Sequence, residues 1–103
     1  MSIKIAIEAL REAKIQTEHD ACRFLDSLSH DDRKALVAAI YLGRDCMNND
    51  SPPPQEELNR DYVSHINEEE YVNILYTKRE QLQSYIDRFL ELAKTAGTDL
   101  VDF

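Results

Sequence analysis

The chain has 103 residues, of which 43% are apolar and only two are glycine, so we expect a single domain around one hydrophobic core. Its 20 acidic residues outnumber its 12 basic residues, and the net charge of −8 argues against binding to nucleic acid or an anionic membrane, because both need Lys and Arg to neutralise phosphate. No segment has the ~20 apolar residues of a membrane span or the pattern of a secretion signal, so we expect a cytoplasmic protein with reduced cysteines.

The first third of the chain predicts two amphipathic helices. Residues Ser2–Gln16 place apolar side chains on one face at helical spacing and most of their charges on the other. Thr17, which acidic residues follow, is a typical N-cap for a second helix over Glu18–Leu28. We expect Cys22 to be a small residue at the edge of the apolar face of this helix. That face consists of Ala21, Phe24, Leu25 and Leu28.

The stretch SHDDRKALVAAIYLGRD, residues 29–45, predicts the central helix of the domain. Ser29 is its expected N-cap, and Asp32 stands at the spacing of a capping box. The middle of the stretch is apolar on nearly every side, which is typical of a helix surrounded by others. Gly43 is expected to end the helix as a C′ glycine. We therefore predict a buried helix over about residues 30–42.

A polar, proline-rich segment follows the central helix. Residues 44–55, RDCMNNDSPPPQ, predict a loop. The next helix is expected over Gln55–Ile66, with Pro54 at a position where the first helical turn tolerates proline. Asn67 and Glu70 then have N-cap spacing for a further helix. The segment 98–103 is expected to be a C-terminal tail beyond the last helix.

Residues 68–96 predict either one long helix or two shorter ones. Thr77 and Glu80 have capping-box spacing, and two basic residues between them interrupt the apolar stripe. A single helix of about 29 residues would be long for so small a domain. We therefore favour a break near Thr77, followed by a helix over Leu82–Ala96 that ends at Gly97 and packs along the central helix. The predicted fold is all-α, a compact single-domain bundle of five or six helices.

Two segments carry a resemblance to known proteins. In LVAAIYLGRD the apolar helix ends in Gly43 and Arg44, and in SYIDRFLEL the apolar residues include Tyr85 and Ile86. Over about residues 33–92 the chain resembles a family of small bacterial helical domains of unknown function. Arg79 stands where that family has a proline, and the tryptophan that follows the family's Gly-Arg pair is missing. The resemblance implies an all-helical fold and no known activity.

Histidine–acid pairs offer one possible chemistry. His19-Asp20 and His30-Asp31 spell the dipeptide that supplies adjacent ligands in metal-dependent phosphohydrolases. Both dipeptides fall in predicted first helical turns, where acids also interact well with the helix dipole. The helix-start interpretation is therefore favoured, and we expect neither cofactor nor bound metal. A small metal-binding protein or hydrolase stays as the alternative function. Its candidate ligands are His19, His30, Asp31 and His65.

The sequence favours a non-enzymatic interaction or regulatory module. It contains no glycine-rich phosphate loop, no G-x-S-x-G and no H-E-x-x-H, so no catalytic residues are assigned. The expected partner is another protein or a second copy of the chain, as in a homodimer. Arg44, Cys46 and Phe103 are the candidate binding residues. For Arg44 the favoured role is structural, pairing with helix carbonyls or an acid from a neighbour, and ligand binding is the alternative. The tail containing Phe103 is expected to fold back onto an open groove of the domain, with partner binding as its alternative.

Overall fold

A computed structural model describes residues 3–45, 63 and 66–97 of the chain. These residues form five α-helices and a short 3-10 turn at Glu68–Glu70, with no strand in the described ranges. The predicted all-α fold is confirmed. The proline-rich loop beyond residue 45, most of the helix predicted for residues 55–66, and the tail 98–103 lie outside the described residues. The helices are α1 (Ile3–Glu12), α2 (Glu18–Asp26), α3 (His30–Asp45), α4 (Tyr71–Thr77) and α5 (Leu82–Ala96).

Helix α2 begins where the sequence predicts, at a complete capping box. The Thr17 Oγ1 atom accepts from the Asp20 backbone N–H at 3.1 Å, and the Asp20 carboxylate accepts from the Thr17 N–H at 3.3 Å and the Gln16 N–H at 3.1 Å. The backbone N–H of Gln16, followed by that of Thr17, lowers the pKa of Asp20 below its ordinary value. The ionised Asp20 carboxylate therefore stabilises the N-terminus of α2.

Helix α3 is the central helix, as predicted. Six consecutive residues, Ala35–Ile40, are buried, so both sides of the helix are covered. Helix α5 packs along it as expected, α1 packs on another side, and α4 packs against α2. At its start, Ser29 Oγ accepts from the Asp32 N–H at 3.2 Å. The reciprocal bond of the predicted capping box is not found at the buried Asp32 Oδ2, which accepts no hydrogen bond from the described residues.

Gly43 has a different role from the one predicted. Helix α3 continues through Gly43 to Asp45, so this glycine is not a C′ residue. A Cβ atom at Gly43 would overlap the backbone carbonyl oxygen of Tyr85 and would lie 2.7 Å from the carbonyl carbon. The absence of a side chain therefore lets α5 approach the backbone of α3 closely.

The predicted break between the last two helices is confirmed, but its caps differ from the prediction. Thr77 does not cap α5, since its hydroxyl donates to the Asn73 carbonyl of α4 at 2.8 Å. Gln81 precedes α5 and makes no side-chain cap bond. Asn67 precedes the 3-10 turn with an extended backbone and also makes no side-chain cap bond. Gly97 ends α5 in the left-handed conformation, with φ of 72°, as expected for a C-terminal glycine.

Within the described ranges, no helix combines the length and the apolar character needed to cross a membrane.

Candidate functional site

A pocket of about 220 Å³ opens between the end of α2, the start of α3 and the start of α4. Its apolar lining comes from Leu25, Tyr71 and Val72, and its charged lining includes three carboxylates and one guanidinium. We call it the acidic pocket. It is lined by Leu25, Asp26, Arg33, Glu68, Glu69, Tyr71 and Val72.

Arg33, on α3, connects the end of α2 to the 3-10 turn that precedes α4. Its Nε atom donates to the carbonyl oxygens of Leu25 at 2.8 Å and Leu28 at 3.2 Å. Its Nη1 atom donates to Glu68 Oε1 at 2.6 Å. The last carbonyls of a helix have no partner within that helix, so the guanidinium of α3 satisfies carbonyls at the end of α2 while it holds the 3-10 turn.

Glu68 receives a second contact on its other oxygen. His30 Nδ1 lies 2.9 Å from Glu68 Oε2. The hydrogen bond from Arg33 is the largest cause of the lowered pKa of Glu68, and the charge of His30 and its hydrogen bond act in the same direction. Glu68 is therefore ionised at neutral pH and compensates the charge of Arg33.

Among the described residues, two carboxylates of the acidic pocket have no ion-pair partner. Asp26 accepts one hydrogen bond there, from the Cys22 thiol, with Sγ 3.7 Å from Oδ2, and no cation is paired with Asp26 or Glu69. The buried Tyr71 stays neutral, because desolvation, followed by the charge of Glu68, raises the pKa of its hydroxyl. A pocket with an apolar lining and two carboxylates that have no ion-pair partner in the described ranges suits a ligand with a cationic head and an alkyl stem.

The contact between Arg33 and Glu68 predicts a pH dependence of stability. Glu68 protonates near its ordinary pKa of 4.5 when unfolded and at a lower pH when folded. Its contribution to the free energy of unfolding is therefore complete above pH 4.5, shrinks below that pH, and is gone below the folded pKa. Glu68→Gln should lower the stability at pH 7, and the difference from the native chain should vanish on acidification. Urea denaturation at pH 7, 4 and 3 measures this difference.

Glu69→Gln is the matched control, since Glu69 has no cation partner among the described residues. Its effect on stability should stay nearly constant across the same pH range. A constant difference for Glu68→Gln between pH 7 and pH 3 would contradict the assigned ion pair.

The candidate metal ligands that the structure describes form no metal-binding group. His19, His30 and Asp31 are all exposed, and His30 is engaged by Glu68. In residues 3–45, 63 and 66–97, no three His, Cys, Asp or Glu side chains form a group that could hold a metal ion. His65 lies outside the described residues, so the alternative that uses it stays a prediction.

Of the candidate binding residues, the structure describes only Arg44. Arg44 lies in the last turn of α3, where its guanidinium stacks 4.3 Å from the ring centroid of Tyr41 and pairs with Asp45 at 3.0 Å. The acid that pairs with Arg44 is thus its neighbour in sequence. Cys46 and Phe103 lie outside the described residues. Cys22 is exposed, so its predicted place at the edge of the core is wrong.

Sequence reasoning did not bring the residues of the acidic pocket together. The acids Glu68 and Glu69 fit the pattern of a solvated helix start, and Arg33 fits the first turns of an amphipathic helix. Arg33 and Glu68 are 35 positions apart, so no local spacing indicates that they meet. One signal was available in the sequence: a basic residue shortly after a predicted helix end can bind the final carbonyls of that helix.

No family model, no curated protein and no solved structure matches this chain. The resemblance to small bacterial helical domains therefore stays a prediction.

Proposed function

We propose that the chain is a cytoplasmic, non-enzymatic protein-interaction module whose acidic pocket binds a basic side chain of a partner protein. The observation that carries this proposal is the pair of carboxylates, Asp26 and Glu69, beside an apolar lining and without a cation among the described residues. A Lys or Arg side chain would pack its stem on Leu25 and Val72 and pair its head with these carboxylates.

The charge of the whole chain supports a basic partner. With a net charge of −8, the chain attracts positively charged surfaces and accelerates their encounter. The pocket adds selectivity for the position of the basic group. Arg33 already pairs with Glu68, so the partner's cation would pair with Asp26 and Glu69. A regulatory role would follow if the partner changes activity when this pocket is filled.

A peptide with one arginine between two leucines tests the proposal. We expect it to shift the backbone amide resonances of Asp26, Glu69 and Val72 in a nuclear magnetic resonance titration. A matched peptide carries citrulline, which keeps the shape of arginine and removes its charge. It should bind about tenfold more weakly, the change that results when about 1.4 kcal/mol of pairing is lost.

Protein variants separate the pocket from the general negative charge. Asp26→Asn with Glu69→Gln should weaken binding of the arginine peptide about tenfold. Glu8→Gln with Glu12→Gln makes the same charge change on the exposed face of α1, and it should have little effect. If both pairs of substitutions weaken binding of the arginine peptide equally, the attraction comes from net charge alone, and the pocket is rejected as the binding site.

Self-association is the other outcome to be distinguished. Light scattering of the pure protein over a range of concentrations gives its oligomeric state. A dimer that Asp26→Asn with Glu69→Gln dissociates would identify a second copy of the chain as the occupant of the pocket, and would replace the proposed partner protein.

A further inference from the structure

A second pocket, of about 380 Å³, lies at the turn between α1 and α2. Its apolar lining comes from Ala13 and from the half-buried Ile15 and Phe24. We call it the basic pocket, because its charged lining has two cations and one acid. It is lined by Ala13, Lys14, Ile15, Asp20, Arg23 and Phe24.

Asp20, the single acid of this pocket, already accepts hydrogen bonds from the backbone. Asp20 Oδ2 accepts the backbone N–H groups of Gln16 and Thr17, which hold the start of α2. Lys14 and Arg23 are exposed, and no acid is paired with either of them in the described ranges. The available charge in the pocket is therefore positive, in a chain whose net charge is strongly negative.

We propose that the basic pocket binds a short acidic and apolar peptide segment of a partner protein. One or two carboxylates would pair with Lys14 and Arg23, and an adjacent apolar side chain would rest on Ile15 and Phe24. A long acidic tract is disfavoured, because the net charge of −8 repels it outside the pocket. The ligand class is thus a compact motif such as Asp-Leu-Asp-Phe.

The basic pocket is independent of the acidic pocket, although both use α2. Asp26 belongs to the acidic pocket, whereas Arg23 and Phe24 belong to the basic one. A partner that presents a basic and an acidic group would contact both sides of α2. Either proposal can fail without the other, because different substitutions test them.

The test is a titration of the full-length chain with the labelled peptide acetyl-Asp-Leu-Asp-Phe-amide. Lys14→Gln with Arg23→Gln should weaken binding about tenfold, as expected for the loss of two exposed ion pairs. Lys4→Gln with Lys94→Gln removes the same charge at exposed positions elsewhere and should change the affinity less than twofold. Asn-Leu-Asn-Phe, the uncharged form of the peptide, should bind about tenfold more weakly than the acidic form.

Three results would overturn the proposal. The first is an absence of saturable binding. The second is equal weakening of binding by the Lys14/Arg23 substitutions and by the Lys4/Lys94 substitutions. The third is tighter binding to a chain carrying Asp99→Asn and Asp102→Asn than to one carrying Glu8→Gln and Glu80→Gln, which makes the same change in net charge at exposed positions. That result would show that the chain's own tail competes for the pocket. Asp26→Asn with Glu69→Gln should not weaken binding of the acidic peptide, which separates this test from that of the acidic pocket.

Discussion

Replacing Gly43 by alanine is expected to lower the free energy of unfolding by about 3 kcal/mol, at the upper end of the range for overpacking a core. The added Cβ would overlap the Tyr85 carbonyl of α5. A backbone group held within a helix cannot turn aside as the end of a flexible side chain can, so α3 and α5 would have to move apart. Urea denaturation followed by circular dichroism measures the loss.

The second glycine of the chain provides the control. Gly97 has nothing within 4 Å of a Cβ position, but its φ is 72°. Gly97→Ala should therefore cost about 1 kcal/mol, from backbone strain alone. In an open helix, alanine is favoured over glycine by about 1 kcal/mol. An increase in stability for Gly43→Ala would therefore contradict the close approach of α5.

Arg33→Met is expected to lower the free energy of unfolding by about 2 to 3 kcal/mol, in the range for hydrogen bonds that involve a charged group. Methionine keeps an apolar stem of similar length and removes every donor. The Leu25 and Leu28 carbonyls then lose the Nε donor, and Glu68 loses the Nη1 donor. Thermal and urea denaturation of the variant measure the loss.

Glu68→Gln separates the two contributions of Arg33. This substitution removes the ion pair but leaves the guanidinium on the end of α2, so its effect at pH 7 should be smaller than that of Arg33→Met. Equal losses for the two variants would mean that the carbonyl contacts contribute nothing. A loss below about 0.5 kcal/mol for Arg33→Met, the level of an ordinary surface change, would contradict its connecting role.

Local patterns were sufficient for most of the fold. The capping residues Thr17 and Asp20 lie three positions apart, and both bonds form as predicted. The apolar run of α3 has no polar side to expose, so its central position follows from composition alone. The break near Thr77 was indicated by charged residues that interrupt an apolar stripe. Each of these signals lies within a single helix or at its end.

Features that depend on contacts between helices were not predictable. A glycine near the end of an apolar run fits a C′ position, and only the placement of α5 shows that Gly43 serves close packing. Cys22 stands beside an apolar stripe, and a small rotation of α2 decides whether it is exposed. The acidic pocket requires Arg33 and Glu68 to meet across 35 positions. The spacing of residues along the chain does not indicate such long-range contacts.

The pairing of α3 with α5 has a consequence for synthesis of the chain. Helix α3 ends at Asp45 and its partner ends at Ala96, so at typical translation rates of about 5–20 residues per second the ribosome needs roughly 3 to 10 s to complete the partner. During this interval, the buried face of α3 that packs against α5 in the folded domain stays exposed. We therefore expect the nascent chain to bind chaperones over this window and to be released once α5 has emerged.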